Sequence, residues 1–175
     1  MYAKLLEQNV SSSLVIAGKG SEEQALQAQA KQLGLNVIMV VSNLEDIPER
    51  SVVFAGYVRD EAKKRLIAQS QCVLFATQPD LWEEAFDIVQ LESMAAGKAM
   101  VASDTAVTRY LTQSGLRALI VKPDDENEWA AQTMQLFTDN SLRHRLGNEN
   151  LEAAAKFDWL PITKQYVAAY RSVLD

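Results

Sequence analysis

Short apolar runs alternate with longer stretches of mixed polarity along the whole chain. Leu14–Ala17, Asn36–Val41, Val52–Phe54, Cys72–Ala76, Ala99–Ala102 and Ala118–Val121 are apolar almost throughout. Runs of this length without alternation fill strands that are covered on both faces. The intervals between them carry apolar residues at helical spacing, bounded by cap and stop residues. Ser21, with Gln24 three positions later, has the form of a capping box and predicts a helix to about Leu33, stopped by Gly34. Asp60 is placed to cap a helix through about Gln69. A further helix ends in small residues at Gly97. Short helical segments are expected from about Thr108 to Gln113, and from the Lys122-Pro123-Asp124-Asp125 turn to about Phe137. Ser141 is expected to cap a helix from Leu142 to about Ala155. Asp158 is expected to cap the last one, with Pro161 tolerated in its first turns. Ser42–Ser51 is polar, contains Pro48 and reads as a loop. Tyr2, Leu5 and Leu6 form one stripe of a helical turn before Ser11-Ser12-Ser13 breaks the pattern.

Strands that alternate with helices through short links predict an α/β fold, doubly wound around a mostly parallel sheet of six strands. Ligands of such sheets bind beyond the carboxyl ends of the strands. Gly18-Lys19-Gly20, Gly56-Tyr57, residues 77–86 and residues 103–107 each follow a strand, so all belong to that edge.

Composition narrows the function. A chain of 175 residues with 48% hydrophobic content suggests one domain with an ample core. A net charge of −6 argues against a general nucleic-acid surface. The lone Cys72 lies in an apolar run and reads as a small buried hydrophobe. No apolar stretch approaches 18 residues, so no membrane-spanning helix is expected, and no secretory signal is visible. One histidine, His144, between Arg143 and Arg145, and one cysteine make no zinc constellation. Gly18-Lys19-Gly20 is a fragment of a dinucleotide fingerprint, with Glu23 where a third glycine belongs, so it carries no case for NAD. There is no Walker loop and no nucleophile elbow.

The richest stretch is Trp82–Gly97. Glu84 and Glu92 lie eight apart, the first at a helix mouth and the second one to two turns inside. Free N–H groups, the positive end of a helix dipole and two carboxylate acceptors suit a ligand with phosphates at one end and sugar hydroxyls around it.

Glu84-Ala85-Phe86-Asp87, followed by Leu91-Glu92-Ser93-Met94-Ala95-Ala96-Gly97, resembles the Glu-x7-Glu motif of the retaining glycosyltransferases of family 4. That motif usually reads Glu-Gly-Phe-Gly and then Leu-Glu-Ala-Met-Ala-x-Gly. Glu83 offers a competing register, and Phe86 and Leu91 favour Glu84. The strand and glycine loop Leu14–Gly20 are similar to the start of that family's C-terminal domain. Val53-Phe54-Ala55-Gly56-Tyr57-Val58, Val101–Asp104 and Val121–Asp125 are similar to later landmarks, all in the right order.

The resemblance implies the Rossmann-like C-terminal half of a GT-B enzyme. Residues 1–175 would be the nucleotide-sugar domain, without the N-terminal acceptor domain. It implies that Glu84 contacts the donor sugar and supports a cation-like transition state, and that Glu92 holds the ribose. Ala85, Phe86, Asp87 and Ile88 would lie along the donor. Gly18, Lys19, Gly56 and Tyr57 would approach the phosphates or the base, and Thr105 would offer a hydroxyl. It implies no bound metal and no cofactor, only a UDP-, GDP- or ADP-linked sugar as co-substrate. Two departures stand out. Asp87 puts a charge where the family has glycine, and Ala106 and Val107 stand where it usually has two glycines.

The expected function is therefore transfer of a sugar to an acceptor hydroxyl in polysaccharide, lipopolysaccharide or glycolipid synthesis. The isolated domain would be inactive. The enzyme would be cytoplasmic, with any membrane contact peripheral at the inner face. A non-catalytic binding module with a degraded donor site, and a sugar-nucleotide epimerase domain, remain as alternatives. The stripe Trp159, Tyr166 and Tyr170 reads as docking of the last helix on the domain; by resemblance it also crosses toward the partner domain.

Overall fold

A computed structural model describes residues 1–39, 46–78 and 88–174, and divides the chain into two compact units, Met1–Leu66 and Ile67–Asp175. Each follows the predicted alternation of strand and helix.

The first unit opens with α1 (Tyr2–Glu7), then β1 (Leu14–Ala17), α2 (Glu23–Gln32), β2 (Asn36–Met39) and β3 (Ser51–Gly56). The strands are parallel in the order β1-β3-β2, so β3 is central. Its position explains its burial: Ser51 to Phe54 are all closed from solvent, and Val53 is 1% exposed. Ser51, expected in the preceding loop, begins this strand because the hydroxyl of Tyr2 donates to its carbonyl at 3.1 Å and to that of Ser12 at 2.8 Å. Tyr2 and Leu5 thereby become core residues, and the short lead-in helix is part of the fold. The expected capping box at Ser21 does not form. Glu22 is the residue before α2, with no side-chain cap, and the Ser21 hydroxyl turns to the Glu22 carboxylate.

The second unit holds β4 (Val73–Phe75), α4 (Ile88–Ala95), β5 (Met100–Ser103), α5 (Ala106–Ser114), β6 (Ala118–Val121), α6 (Glu126–Thr138), α7 (Asn140–Ala154) and α8 (Trp159–Leu174). The helix α3 (Asp60–Gln69) crosses the boundary between the units. The strands pair in parallel as β4-β5-β6. Each residue of the central strand β5 is buried, from Met100 at 0% to Ser103 at 1%. Phe75, Met94, Met100, Ala102, Leu111 and Leu116 form the core between this sheet and its helices.

The sequence predicts one sheet of six strands. The described strands are hydrogen-bonded instead as two parallel ladders of three. Each ladder lies within one unit, β1-β3-β2 in the first and β4-β5-β6 in the second.

Helix starts differ from expectation in a consistent way. α5 begins two residues early, because Thr105 accepts from the Thr108 N–H. α7 begins at Asn140, because Asp139 and not Ser141 accepts from the Leu142 N–H at 2.8 Å. An aspartate and a serine are both good caps; here the residue nearer the end of α6 takes the role.

The last helix departs further. No residue of α8 is buried, and Trp159, Tyr166 and Tyr170 are 82%, 61% and 67% exposed. Among the described residues the expected docking of this stripe on the domain is not seen. Tyr166 and Tyr170 pack on one another, with ring centroids 6.5 Å apart, one helical turn apart on the same face.

Candidate functional site

In a parallel ladder every strand delivers its following loop to the same edge. The loop after β1 therefore meets the loop after β3. The Gly18 N–H donates to the Gly56 carbonyl at 2.8 Å, and the side chain of Lys19 lies over Gly56, with its Cε 3.4 Å from where a Cβ would stand. Both glycines adopt backbone conformations that disfavour a side chain, φ +129° for Gly18 and φ +61° for Gly56. Tyr57 leaves the edge with its ring 79% exposed, so it is not a packed turn tyrosine. The structure thus gathers Gly18, Lys19 and Gly56 into one small edge of bare backbone with a lysine beside it and an exposed aromatic ring next along the chain.

The corresponding edge of the second unit carries the loops after β4, β5 and β6. Gln78 Nε2 donates to Asp124 Oδ1 at 3.2 Å and ties the first of these loops to the third. Asp104 pairs with Arg109 at 2.8 Å, and its N–H donates to the Val121 carbonyl. The Thr105 hydroxyl is engaged as the cap of α5, accepting from the Thr108 N–H at 3.1 Å and donating to the Thr108 hydroxyl at 3.0 Å. Ala106 and Val107, in place of the expected glycines, form the first turn of that helix.

Glu92 is half-buried on α4, and Ile88, on the same helix, is 63% exposed. Glu84, Ala85, Phe86 and Asp87 lie outside the described residues. The buried stripe of α4 is Gln90, Ser93 and Met94, which are i, i+3 and i+4. The Gln90 carbonyl oxygen and the Ser93 hydroxyl have no hydrogen-bond partner among the described residues, nor has the hydroxyl of Ser103 at the end of β5. Ser103 belongs to the loop expected at this edge, whereas Gln90 and Ser93 were given no role from the sequence. The available signal was the helical spacing that puts the polar Gln90 and Ser93 on one stripe with Met94.

The sequence profile of the glycosyl transferases group 1 family matches residues 1–152. The chain belongs to that family. A phosphatidyl-myo-inositol mannosyltransferase of Mycobacterium leprae (strain TN) is 31% identical over 160 residues, covering 91% of this chain and 38% of the relative. A glycosyltransferase of Methanocaldococcus jannaschii known as MJ1607, itself uncharacterized, is 27% identical over 173 residues, covering 98% of this chain and 40% of its own length. The chain thus spans about two fifths of the length of these relatives. Among solved structures, Anabaena Alr3699/HepE in complex with UDP superposes with a TM-score of 0.75 at 22% identity, over 98% of this chain and 44% of that one. The catalytic domain of cholesterol-alpha-glucosyltransferase from Helicobacter pylori gives 0.66 at 19% identity, over 90% and 87%. The fold of this chain is accordingly the Rossmann-like α/β fold of the C-terminal half of a GT-B enzyme.

Proposed function

We propose that this chain is the donor-binding part of a retaining glycosyltransferase. It would hold a nucleotide-activated sugar for transfer to an acceptor hydroxyl, with retention at the anomeric carbon. Membership of the glycosyl transferases group 1 family carries the reading. The paired loops support it: the Gly18–Gly56 hydrogen bond leaves an edge where backbone and Lys19 can meet a diphosphate without steric conflict. The anomeric C–O bond to the diphosphate breaks, the bond to the acceptor oxygen forms, and the acceptor's proton leaves with the nucleoside diphosphate. The protein's part is electrostatic and positional. N–H groups and Lys19 support the developing charge, Glu84 supports the sugar as it becomes cation-like, and Glu92 holds the ribose. In this reading Phe86 and Ile88 border the donor, and the exposed Tyr57 ring meets the base. No metal ion or cofactor is required beyond the sugar nucleotide.

The relatives include phosphatidyl-myo-inositol mannosyltransferases and D-inositol 3-phosphate glycosyltransferases, and the former favour glycolipid synthesis among the three classes expected. The acceptor would be bound by a second domain, so the chain of 175 residues alone would bind donor weakly and transfer nothing. The site of action would be the cytoplasm, where nucleotide sugars are made. Among the described residues no helix is long and apolar enough to cross a membrane.

One observation favours a second reading. Thr105 is engaged in capping and Ala106 and Val107 are inside α5, so this loop has less freedom than glycines would give. A binding module that kept the fold and lost the chemistry would look the same there. Titration with UDP, GDP and ADP and their sugar conjugates, followed by amide shifts, separates the two. A donor domain binds one nucleotide series, with shifts at Gly56 and on α4, and loses affinity in Glu84→Ala and Glu92→Ala. A module with a dead donor site binds none of them at millimolar ligand or is indifferent to both changes.

A further inference from the structure

The close approach of α7 to the end of α4 has a consequence for the candidate site. A Cβ placed on Gly147 would stand well inside van der Waals contact of the Gly97 carbonyl oxygen and 3.2 Å from its carbon. The contact is backbone against backbone, with no flexible side chain to give way. Gly97 is tied to α4 in turn. Its N–H donates to the Met94 carbonyl at 2.9 Å, and the Lys98 N–H donates to that of Ser93 at 3.0 Å. These two bonds are the Schellman closure of a helix, with Gly97 at φ +65°. Wherever Gly97 moves, α4 moves.

The same face of α7, three residues on, is fixed to the strands. Asn150 is fully buried, and its amide donates to the Lys98 carbonyl at 2.8 Å and the Arg117 carbonyl at 2.9 Å. Its oxygen accepts from the Arg117 N–H at 2.7 Å. Arg117 precedes β6, and Lys98 leads through Ala99 into β5. One side chain therefore locks α7 to the entries of two strands, and three residues away the bare Gly147 rests against the end of α4. Lys98 closes the arrangement, its ammonium donating to the carbonyls of Ala68 and Ser70 at 2.6 and 2.9 Å.

We propose that Gly147 and Asn150 are positioning residues of the donor site: together they set the place of α4, and so of Glu92, against β5. The inference rests on the donor-site reading of Glu92. The missing Cβ at position 147 lets the helices approach to backbone contact, and Asn150 fixes α7 so that the approach has one value. With a methyl at position 147 the backbones must separate by roughly 1 Å to recover ordinary contact distances. Because Asn150, on the same face of α7, holds that helix to the residues that lead into β5 and β6, the displacement falls on the short helix α4. Neither residue touches a ligand.

The test is the nucleoside diphosphate affinity of the 175-residue chain, measured by calorimetry with UDP, GDP and ADP, together with ligand-free amide shifts along α4. Gly147→Ala is expected to weaken binding about tenfold and to shift the amides from Ile88 to Met94. Leu151→Ala is the milder variant. Leu151 lies over Gly97, its Cβ 3.8 Å from where a Cβ of Gly97 would stand, and its truncation should weaken binding by a smaller factor without endangering the fold. Leu146→Ala removes buried packing from the same helix without intruding on Gly97, and it should lower the Tm and leave the affinity unchanged. Unchanged affinity in Gly147→Ala and Leu151→Ala overturns the inference, as does an equal loss in Leu146→Ala. If Gly147→Ala does not fold, Leu151→Ala against Leu146→Ala decides. A wild-type chain that binds no nucleoside diphosphate removes the donor reading itself, and this inference with it.

Discussion

The Gly18 N–H donates to the Gly56 carbonyl at 2.8 Å, joining two turns that are 38 positions apart in sequence. The bond exists because β1 and β3 run parallel and adjacent, so their exits coincide. Gly56 takes φ +61° to make it, and the nearest atom to a Cβ there would be the flexible end of Lys19. Gly56→Ala should therefore cost about 1–2 kcal/mol for the left-handed backbone and little for crowding. Chemical denaturation reads the loss. Gly115→Ala should cost more, since its φ of +121° is combined with an approach of 2.9 Å to the rigid Cβ of Ala153.

Thr105 separates structure from ligand contact. Its hydroxyl caps α5, so Thr105→Ala should lower stability by about 1 kcal/mol, and Thr105→Ser should restore it. A hydroxyl that served donor binding instead would show in Thr105→Ala as a weaker nucleotide Kd at unchanged Tm. Thermal melts and titrations on the same two variants distinguish the roles.

Asn150→Ala takes the partner from the part-buried N–H of Arg117 and from two part-buried carbonyls at once. Losing three part-buried hydrogen bonds together should cost about 2 kcal/mol, a sizeable fraction of a domain's stability. Asn150→Asp should do worse at neutral pH, because its carboxylate faces two carbonyls, and should regain part of the loss as the pH falls and the carboxyl is protonated. A urea midpoint that is insensitive to Asn150→Ala would refute this account of the helix lock.

The strands and the order of elements were legible because the apolar runs are short, continuous and separated by glycine or polar turns, as at Leu14–Ala17 and Ala118–Val121. The motif around Glu92 was legible because its helix ends at a glycine. Other features depend on contacts that no local pattern encodes. Ile88 is exposed and Gln90 buried because the face α4 turns inward is set by what packs on it, α7 included, and not by its own polarity. Asp139 and Ser141 are equally plausible caps from sequence, and α6 decides between them. The exposed stripe of α8 reads in sequence as a docking face, and none of its residues is buried. Whether Glu84 and Asp87 meet a donor rests on the resemblance alone, since residues 79–87 lie outside the described residues.

The exposure of α8 makes its removal a mild change. Its 16 residues contribute no buried side chain, so deleting residues 159–175 should leave the urea midpoint of the remainder within a few tenths of a molar of the parent. The same deletion should reduce self-association at high concentration, because Trp159, Leu160, Tyr166, Tyr170 and Leu174 are all exposed apolar surface. Sedimentation at increasing protein concentration measures it.

Cys72 gives a pH-dependent prediction. Burial pushes its thiol from 9.0 up to about 11, against a partial pull downward from Arg143. At pH 8 the folded protein should therefore hold about a hundredfold less thiolate than an unperturbed cysteine, and alkylation should be correspondingly slow until the chain unfolds. The stability effect follows from linkage. The raised folded value means that the native thiol keeps its proton where the unfolded one has lost it. Its contribution is fully present below about pH 9 and is lost as the pH rises to about 11. Cys72→Ser should flatten that part of the stability profile, and alkylation of the native protein at pH 8 as fast as in urea would show the thiol to be open to solvent.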